Sequence, residues 1–270
     1  MVLQRLTKNI LEKYNINLLK QWPIESINVH CLIVNIPVFE QLNTIKKIES
    51  DSRVKWVQPY HFFEGQSIKL DKIKAEEKLD PYYKLQSIFE LFNLTKVSDK
   101  FDGKGISIAI VDSGVEKEHP ELIDSVAEKI DFVNLENIND IPAEHHGTGI
   151  AGVIIAKKDN GKGISGISPQ AKLYAYRSCW ETSHGKTICN SLTLARALDR
   201  VAQTKPDILN LSLTGPQDRL LDEILDRIIE NETYVVTAYD KSRAHQSRFP
   251  KLRRGVVYVQ SSNAENDTRV

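Results

Sequence analysis

Short apolar runs alternate with helix-forming stretches through most of the chain, from residue 106 onward. Nearly continuous apolar runs are typical of strands that are buried on both faces. Strands that alternate with helices form a parallel sheet with helices on both faces, so we expect an α/β fold. The expected strands are 106–112, 171–179, 207–213, 233–239 and 255–261, and the expected helices are 148–158, 192–203 and 219–231.

The N-terminal part of the chain has a different pattern. Its expected elements form a small βαβ-like unit: helix 2–12, strand 27–37, helix 38–50 and strand 53–59. Residues 64–84 are charged and lose this periodicity, which indicates a linker. We therefore predict a small α+β domain over 1–64, a linker and entry helix over 65–99, and the α/β domain over 100–270.

The composition argues against several classes of protein. Lysine plus arginine and aspartate plus glutamate both number 36, so no basic excess points to nucleic acid. No apolar run approaches the roughly 20 residues that cross a bilayer, and the N-terminal segment does not resemble a signal peptide. Cys31, Cys179 and Cys189 have no metal-binding spacing. We expect these cysteines to be reduced or buried and the protein to be cytoplasmic.

Two titratable residues occupy informative positions. Asp112 ends a buried strand, where sites form in parallel sheets, and His146 opens a helix of small residues. Taken separately, Asp112 could cap a turn and His146 could belong to an ordinary helix N-terminus. Together they favour a buried carboxylate that accepts a hydrogen bond from an imidazole and fixes its tautomer. We expect His145 to be a solvated neighbour of His146.

A nucleotide-binding domain is a poor alternative. The stretch GKGISIAIVDSG, residues 103–114, has two of its glycines before the strand. A phosphate-binding loop needs its glycines after the strand, at the N-terminus of the following helix.

The motifs AIVDSGV (109–115) and HGTGIAG (146–152) resemble the Asp and His signatures of the subtilisin-like serine proteases. Residues 163–177 and DILNLSLTGP (207–216) are similar to the segments that follow in that family, and residues 48–65 resemble the end of its inhibitory propeptide. The resemblance implies a three-layer α/β fold with a parallel sheet, incomplete at its C-terminus. It also implies a propeptide-like α+β domain whose tail lies across the active site.

The resemblance also implies roles for individual residues. Asp112 would orient His146, which would act as the general base. An extended substrate would pair with the segment Ser212, Leu213, Thr214 and Gly215. Tyr239 would line the pocket for the residue before the cleaved bond, and Asp240 would stand at the oxyanion position.

The chain departs from the family pattern at four places. Thr214 and Tyr239 replace glycines and would narrow the cleft, and Asp240 replaces an asparagine that donates to the oxyanion. An ionised Asp240 only accepts hydrogen bonds, whereas a protonated one could donate; a solvated loop aspartate is the other interpretation. The family places its serine about 157 residues after the histidine, beyond Val270, and we find no Gly-Thr-Ser-type segment in the chain.

Two functional hypotheses follow. The first is a serine endopeptidase that lacks its nucleophile in these 270 residues and is therefore inactive alone, with a peptide or protein substrate. A partner chain would then be one source of the missing part. The second is a pseudoprotease that binds peptides without cleaving them. We expect no cofactor, metal site, nucleic acid or membrane; calcium occurs in the family but cannot be placed here, and secretion is the family's alternative to a cytoplasmic location.

Overall fold

The computed structural model describes residues 2–65, 80–97, 100–135, 142–239 and 248–260. The chain forms two compact units, Met1–Tyr60 and His61–Val270. Most of the predicted linker lies outside the described residues, and the predicted domain boundaries remain predictions. No helix in the described ranges is both long and apolar enough to span a membrane.

The first unit consists of two helices and a hairpin. Its elements are α1 (Val2–Tyr14), β1 (Asn17–Ile24), a 3-10 turn (Glu25–Ile27), β2 (Val29–Asn35) and α2 (Gln41–Glu49). The hairpin strands are antiparallel, and Asn28 between them has a φ of 51°, a left-handed conformation that asparagine tolerates. The predicted βαβ arrangement is therefore wrong, although β2 and both helices lie where they were expected.

Two local features explain this error. Strand β1 shifts register against β2 between Leu18 and Lys20. Its sequence therefore lacks the clean alternation of apolar and polar residues that would predict a strand. Residues 53–59 form no strand. The side chain of Asp51 accepts the backbone N–H of Arg53 at 3.1 Å, a local turn contact that competes with strand pairing.

The second unit holds the remaining elements, in chain order. They are β3 (Phe62–Gly65), a 3-10 turn (Tyr83–Leu85), α3 (Ser87–Leu91), a 3-10 turn (Leu94–Lys96), β4 (Ser107–Asp112), β5 (Val126–Asp131), α4 (His145–Ile155), β6 (Lys172–Arg177), β7 (Cys179–Glu181), β8 (Thr187–Asn190), α5 (Ser191–Thr204), β9 (Ile208–Leu211), β10 (Leu213–Pro216), α6 (Arg219–Glu230), β11 (Tyr234–Ala238), β12 (Arg248–Phe249) and β13 (Val256–Val259).

A parallel sheet forms the centre of this unit, in the strand order β13-β11-β9-β4-β6-β5. On one face, Ile108 and Ile110 of β4 pack with Ala151 and Ile155 of α4 in a buried cluster. Helix α5 also packs against β4, but its residues are not part of that cluster. The arrangement confirms the predicted α/β class with a parallel sheet between helices.

A second sheet is antiparallel and was not predicted. Its strand order is β12-β10-β3-β8-β7, so β3 is paired on one side with β10 and on the other with β8. The predicted strand 207–213 is in fact two strands, β9 in the parallel sheet and β10 in this one. Strands of two to four residues have no detectable period, which is why the sequence did not reveal them.

The cysteines correct a further expectation. Cys179 on β7 and Cys189 on β8 form a disulfide between paired strands, and both are buried. Cys31 is not part of the disulfide. We expected cysteines that are reduced or buried: Cys179 and Cys189 are buried but not reduced, so the argument for a cytoplasmic location that rested on reduced cysteines no longer holds.

Candidate active site

Asp112 and His146 lie in contact at the carboxyl end of the parallel sheet. His146 Nδ1 is 2.6 Å from Asp112 Oδ1. The Asp112 side chain is 4% exposed and the His146 side chain 9% exposed. The same Asp112 oxygen accepts the backbone N–H of Ser113 at 2.7 Å. The carboxylate is thus held by its own strand end while it contacts the imidazole.

This contact selects one state of the imidazole. An ionised carboxylate can only accept a hydrogen bond, so Nδ1 of His146 carries the proton in the bond to Asp112. In the neutral ring, Nε2 is then the nitrogen that accepts a proton. A group placed next to Nε2 would meet a general base whose ring is already oriented.

A glycine brings the helix close to the strand end. Gly147 N–H donates to Ser113 Oγ at 3.0 Å. A Cβ at Gly147 would overlap the carbonyl oxygen of Ser113, a backbone atom that cannot move aside cheaply. The Gly after His146 is therefore required by the close packing of α4 on the loop that follows Asp112.

Two carboxylates lie at the N-terminus of α4. Glu181 of β7 accepts the backbone N–H of His146 at 2.5 Å. Glu144, which precedes the helix, accepts the backbone N–H of Gly114 and of Glu181. Negative charge at this end of a helix is favourable because the first N–H groups have no partner within the helix. These contacts tie the backbone around His146 to two other segments.

A buried arginine completes this network. Arg177, at the end of β6, donates to both oxygens of Glu144 and to Asp131 at the end of β5. Burial alone would raise the pKa of Glu144, but the hydrogen bonds from Arg177, Glu181 and Gly114 outweigh it and lower that pKa. Glu144 is therefore an anion held between the histidine helix and the sheet. This cluster was not among the predicted site residues, although the charged residue that ends the apolar run LYAYR was a signal.

A peptide strand lies beside the histidine. In β3, Gly65 is opposite Leu213 and Glu64 is opposite Thr214, while Phe63 is opposite Cys189 on the other side. A methyl group at Gly65 would lie 3.7 Å from His146 Cε1. Residues 62–65 of the chain thus occupy an extended cleft that ends at the imidazole.

A sequence profile for the subtilase family, peptidase S8, matches residues 103–267. The chain belongs to the subtilase family. The matched residues include Asp112 and His146 as well as the strand β10 that pairs with β3.

Individual subtilases give a consistent picture. The minor extracellular protease Epr of Bacillus subtilis is 30% identical over 186 residues, which are 66% of this chain and 27% of that protein. Thermitase of Thermoactinomyces vulgaris is 27% identical over 197 residues, 70% of this chain and 67% of that protein. The chain spans 35% of subtilisin E of Bacillus subtilis, to which it is 28% identical over 142 residues.

The fold of this subtilase also matches a solved structure. Fervidolysin from Fervidobacterium pennivorans, described as a keratinolytic enzyme related to subtilisin, superposes with a TM-score of 0.64 at 19% identity. The match covers 90% of this chain and 39% of that one. The likeness supports the subtilisin-like fold class that the sequence predicted.

The structure describes all but one of the other predicted site residues of the subtilase. Leu213, Thr214 and Gly215 form β10, as described, and Ser212 directly precedes it and accepts a hydrogen bond from Asn210. The Tyr239 ring packs edge-on against Tyr258, with 6.3 Å between ring centroids. Asp240 lies outside the described residues. The roles assigned to Tyr239 and Asp240 therefore remain predictions.

One acidic residue of the subtilase bears on metal binding. Among the described residues, no group of three or more His, Cys, Asp and Glu side chains could hold a metal ion. Glu121 is 5% exposed; its Oε1 accepts from Asn160, but its Oε2 is buried with no hydrogen-bond partner in the described part of the chain. A buried carboxylate oxygen without a donor is unfavourable, and a cation would satisfy it.

Proposed function

We propose that this chain provides the Asp–His pair and the peptide cleft of a subtilisin-like serine endopeptidase. The observation that carries the proposal is the buried Asp112–His146 contact next to a strand held by pairing on both sides. A serine supplied from outside these residues would complete the site, and the 270-residue chain alone would not hydrolyse peptides. Its substrates would be peptides or proteins in extended conformation.

The mechanism follows from the orientation of the imidazole. His146 Nε2 would take the proton of the serine hydroxyl as its oxygen attacks the scissile carbonyl, and would later give that proton to the leaving amine. Asp112 would stabilise the imidazolium formed in between. A protonated Asp240 could donate to the oxyanion, whereas an ionised one would oppose the developing charge.

The test compares His146 with its neighbour. We expect a serine-reactive phosphonate probe to leave the 270-residue chain unlabelled, and to label a form extended by the downstream reading frame. In that form, His146→Ala should lower kcat by at least about a thousandfold, because the serine loses its base. His145→Ala is the matched control, since His145 is adjacent but exposed and should leave turnover unchanged. Equal rates for wild type and His146→Ala would refute the proposal.

A peptide-binding pseudoprotease is the second candidate. It is favoured by β3, which is held through main-chain pairing with β10 and β8 and so needs no nucleophile. A downstream frame without a serine segment, together with retained peptide binding, would decide for this candidate. Labelling of any serine in the purified 270-residue chain would decide against it.

We propose a stabilising calcium ion at Glu121. The support is the buried Oε2 of Glu121 that lacks a partner in the described part of the chain. Calcium prefers oxygen ligands of this kind and would neutralise the buried charge. Calcium should raise the thermal midpoint relative to a chelator, and Glu121→Gln should remove the difference. Exposed Glu116→Gln is the control; a calcium effect of equal size in Glu121→Gln would exclude this site.

We also propose that the protein functions in an oxidising compartment. The disulfide Cys179–Cys189 supports this, because such bonds persist outside the reducing cytosol. The relative Epr is by its name an extracellular protease. Mass spectrometry of the protein alkylated in intact source cells should find both cysteines protected; free thiols there would favour the cytoplasmic alternative.

A further inference from the structure

Helices α4, α5 and α6 differ in how their first N–H groups are satisfied. Helix α5 is capped by its own Asn190, whose side chain accepts a backbone N–H of the first turn at 3.0 Å. Helix α6 is capped by its own Asp218, which accepts a backbone N–H of the first turn at 3.1 Å. Glu144 stands at the same position of α4, but in this described helix its side chain makes no capping bond. The helix that carries His146 therefore does not cap itself.

The Glu144 side chain is engaged elsewhere. Its two oxygens accept hydrogen bonds from Arg177 and from the backbone N–H groups of Gly114 and Glu181. The first N–H groups of a helix have no partner within the helix, and a buried N–H without an acceptor is unfavourable. An acceptor from another part of the chain is therefore needed at the start of α4.

Two acceptors reach the start of α4 from outside the helix. Glu181 Oε1, on β7, accepts the backbone N–H of His146 at 2.5 Å. Ser113 Oγ, in the loop after β4, accepts the backbone N–H of Gly147 at 3.0 Å. These N–H groups belong to the second and third residues of the helix, which an N-cap side chain ordinarily binds. The cap of α4 is thus divided between β7 and the loop after β4.

We propose that Glu181 is a positioning residue, which caps α4 from strand β7 and thereby holds the imidazole of His146 against Asp112. The inference deepens the proposed function and rests on it, since it names a residue on which the general base of the same site depends. Glu181 acts through its hydrogen bond to a backbone N–H and does not itself touch the reacting atoms.

The hydrogen bond controls the ring because it is made at the residue that carries the ring. The distance from His146 Nδ1 to Asp112 Oδ1 is 2.6 Å, and both side chains are nearly buried. A catalytic group has to be held within about 0.5 Å of its working position. If the first turn of α4 frays, the Cα of His146 moves and takes the ring nitrogen away from the carboxylate.

Glu181 is itself held by its strand and by Glu144. It lies opposite Thr187 in the hairpin of β7 and β8, and the disulfide Cys179–Cys189 joins the same two strands. Its backbone N–H donates to Glu144 Oε1 at 2.9 Å. The carboxylate therefore reaches α4 from a fixed support, and its negative charge is also favourable at the N-terminus of a helix.

The test is made in the full 270-residue chain. Glu181→Leu removes the acceptor at similar volume, whereas Glu181→Gln keeps an oxygen that can accept the N–H of His146. In both variants the backbone N–H of residue 181 can still donate to Glu144. We expect the His146 amide to exchange at least about tenfold faster in Glu181→Leu and within about threefold of wild type in Glu181→Gln. Lys186→Leu is the matched control, since it lies in the turn of the same hairpin with a side chain 67% exposed, and should change the rate less than about twofold.

The imidazole gives a readout that general destabilisation would not move. In wild type, the Nδ1 proton of His146 should give an NMR signal shifted far downfield by its bond to Asp112. This signal should be lost to exchange with water in Glu181→Leu and kept in Glu181→Gln. The amides of α5, which caps itself, should stay protected in all variants. If Glu181→Leu loses that protection as well, Glu181→Asp, which is one methylene shorter, is the second variant and should show the selective loss.

Two results would overturn the proposal. One is an unchanged His146 amide and Nδ1 signal in a folded Glu181→Leu or Glu181→Asp. The other is an equal loss in Glu181→Gln and Glu181→Leu, since the hydrogen bond would then not be what positions the ring.

A kinetic measurement separates this proposal from the proposed function. In a form with a working nucleophile, Glu181→Leu should lower kcat at least about tenfold and change KM less than about twofold, and Glu181→Gln should restore kcat to within about threefold of wild type. An unchanged kcat would refute the positioning role while leaving the endopeptidase proposal intact. Complete absence of turnover in that form would refute the endopeptidase proposal, and the amide exchange and the Nδ1 signal would still decide on Glu181.

Discussion

Two clusters in this molecule join carboxylates to basic side chains, and the basic side chains differ in exposure. In the first unit, Asp51 binds Lys13 and Arg53, whose side chains are 56% and 30% exposed. In the second unit, Arg177 is 8% exposed and binds Asp131, which is fully buried, as well as Glu144. The basic partners of Asp51, whose own side chain is 4% exposed, thus lie at the surface, whereas Arg177 lies in the interior.

The difference in exposure gives the clusters different roles. The Asp51 cluster joins the end of α1 to the turn after α2, and water screens its charges. The Arg177 cluster joins the ends of two strands to the residue before α4, which carries His146. A buried ion pair adds little net stability, but it becomes very unfavourable when one partner is lost. The Arg177 cluster should therefore affect the position of His146 as well as the stability of the fold.

Removal of Arg177 should have the largest effect. Arg177→Met keeps the volume but leaves Asp131 and Glu144 as buried, uncompensated anions, so we expect a loss of about 3–5 kcal/mol in the free energy of unfolding. Urea unfolding of the second unit measures it. The matched control is Arg200→Met, because the Arg200–Glu128 pair is only partly buried, with side chains 39% and 26% exposed.

The same variant tests the positioning role. In Arg177→Met, the imidazole of His146 should lose its fixed environment, which its NMR signals would report, while Arg200→Met leaves those signals unchanged. If Arg177→Met lowers the free energy of unfolding no more than Arg200→Met does, burial of the ion pairs does not explain the role of the Arg177 cluster.

Removal of the disulfide should have the second-largest effect on stability. It closes a loop across a sequence separation of 10 residues, and in the chain-entropy view a loop of this length contributes about 2–3 kcal/mol. The paired change of Cys179 and Cys189 to serine should lower the unfolding free energy by this amount. Cys31→Ser is the control, since Cys31 is not part of the disulfide. Equal stability of the paired variant and wild type would mean that strand pairing alone holds the hairpin.

The comparison also separates what the sequence could predict from what it could not. The continuous apolar strand before Asp112 and the small-residue helix after His146 are local patterns, and both elements lie where they were expected. The contacts of Arg177 with Glu144 and Asp131 join three segments distant in sequence, so no local sequence pattern predicts them. Strand β3 has only four residues and exists through its neighbours β8 and β10.

The smallest effect is expected from pH on the Asp51 cluster. Hydrogen bonds from Arg53, then from Lys13 and Tyr14, hold the pKa of Asp51 far below its ordinary value of 3.8. A depressed pKa means that the unfolded chain takes up the proton first as the pH falls. The contribution of Asp51 is therefore complete above about pH 5 and declines as the pH falls below about 4.

Amide exchange within residues 2–60 of the full chain, measured from pH 6 down to pH 2 and corrected for the intrinsic rate, would follow this decline. Asp51→Asn should be less protected at pH 6 but should lose little more on acidification, because no carboxylate remains to be protonated. Glu12→Gln is the control, since within the described part of the chain Glu12 forms an ion pair only with Lys8, and both side chains are exposed. A pH profile of Asp51→Asn parallel to that of wild type would assign the acid sensitivity of this unit to other carboxylates. In that case the Asp51 cluster would not control the acid sensitivity of its unit.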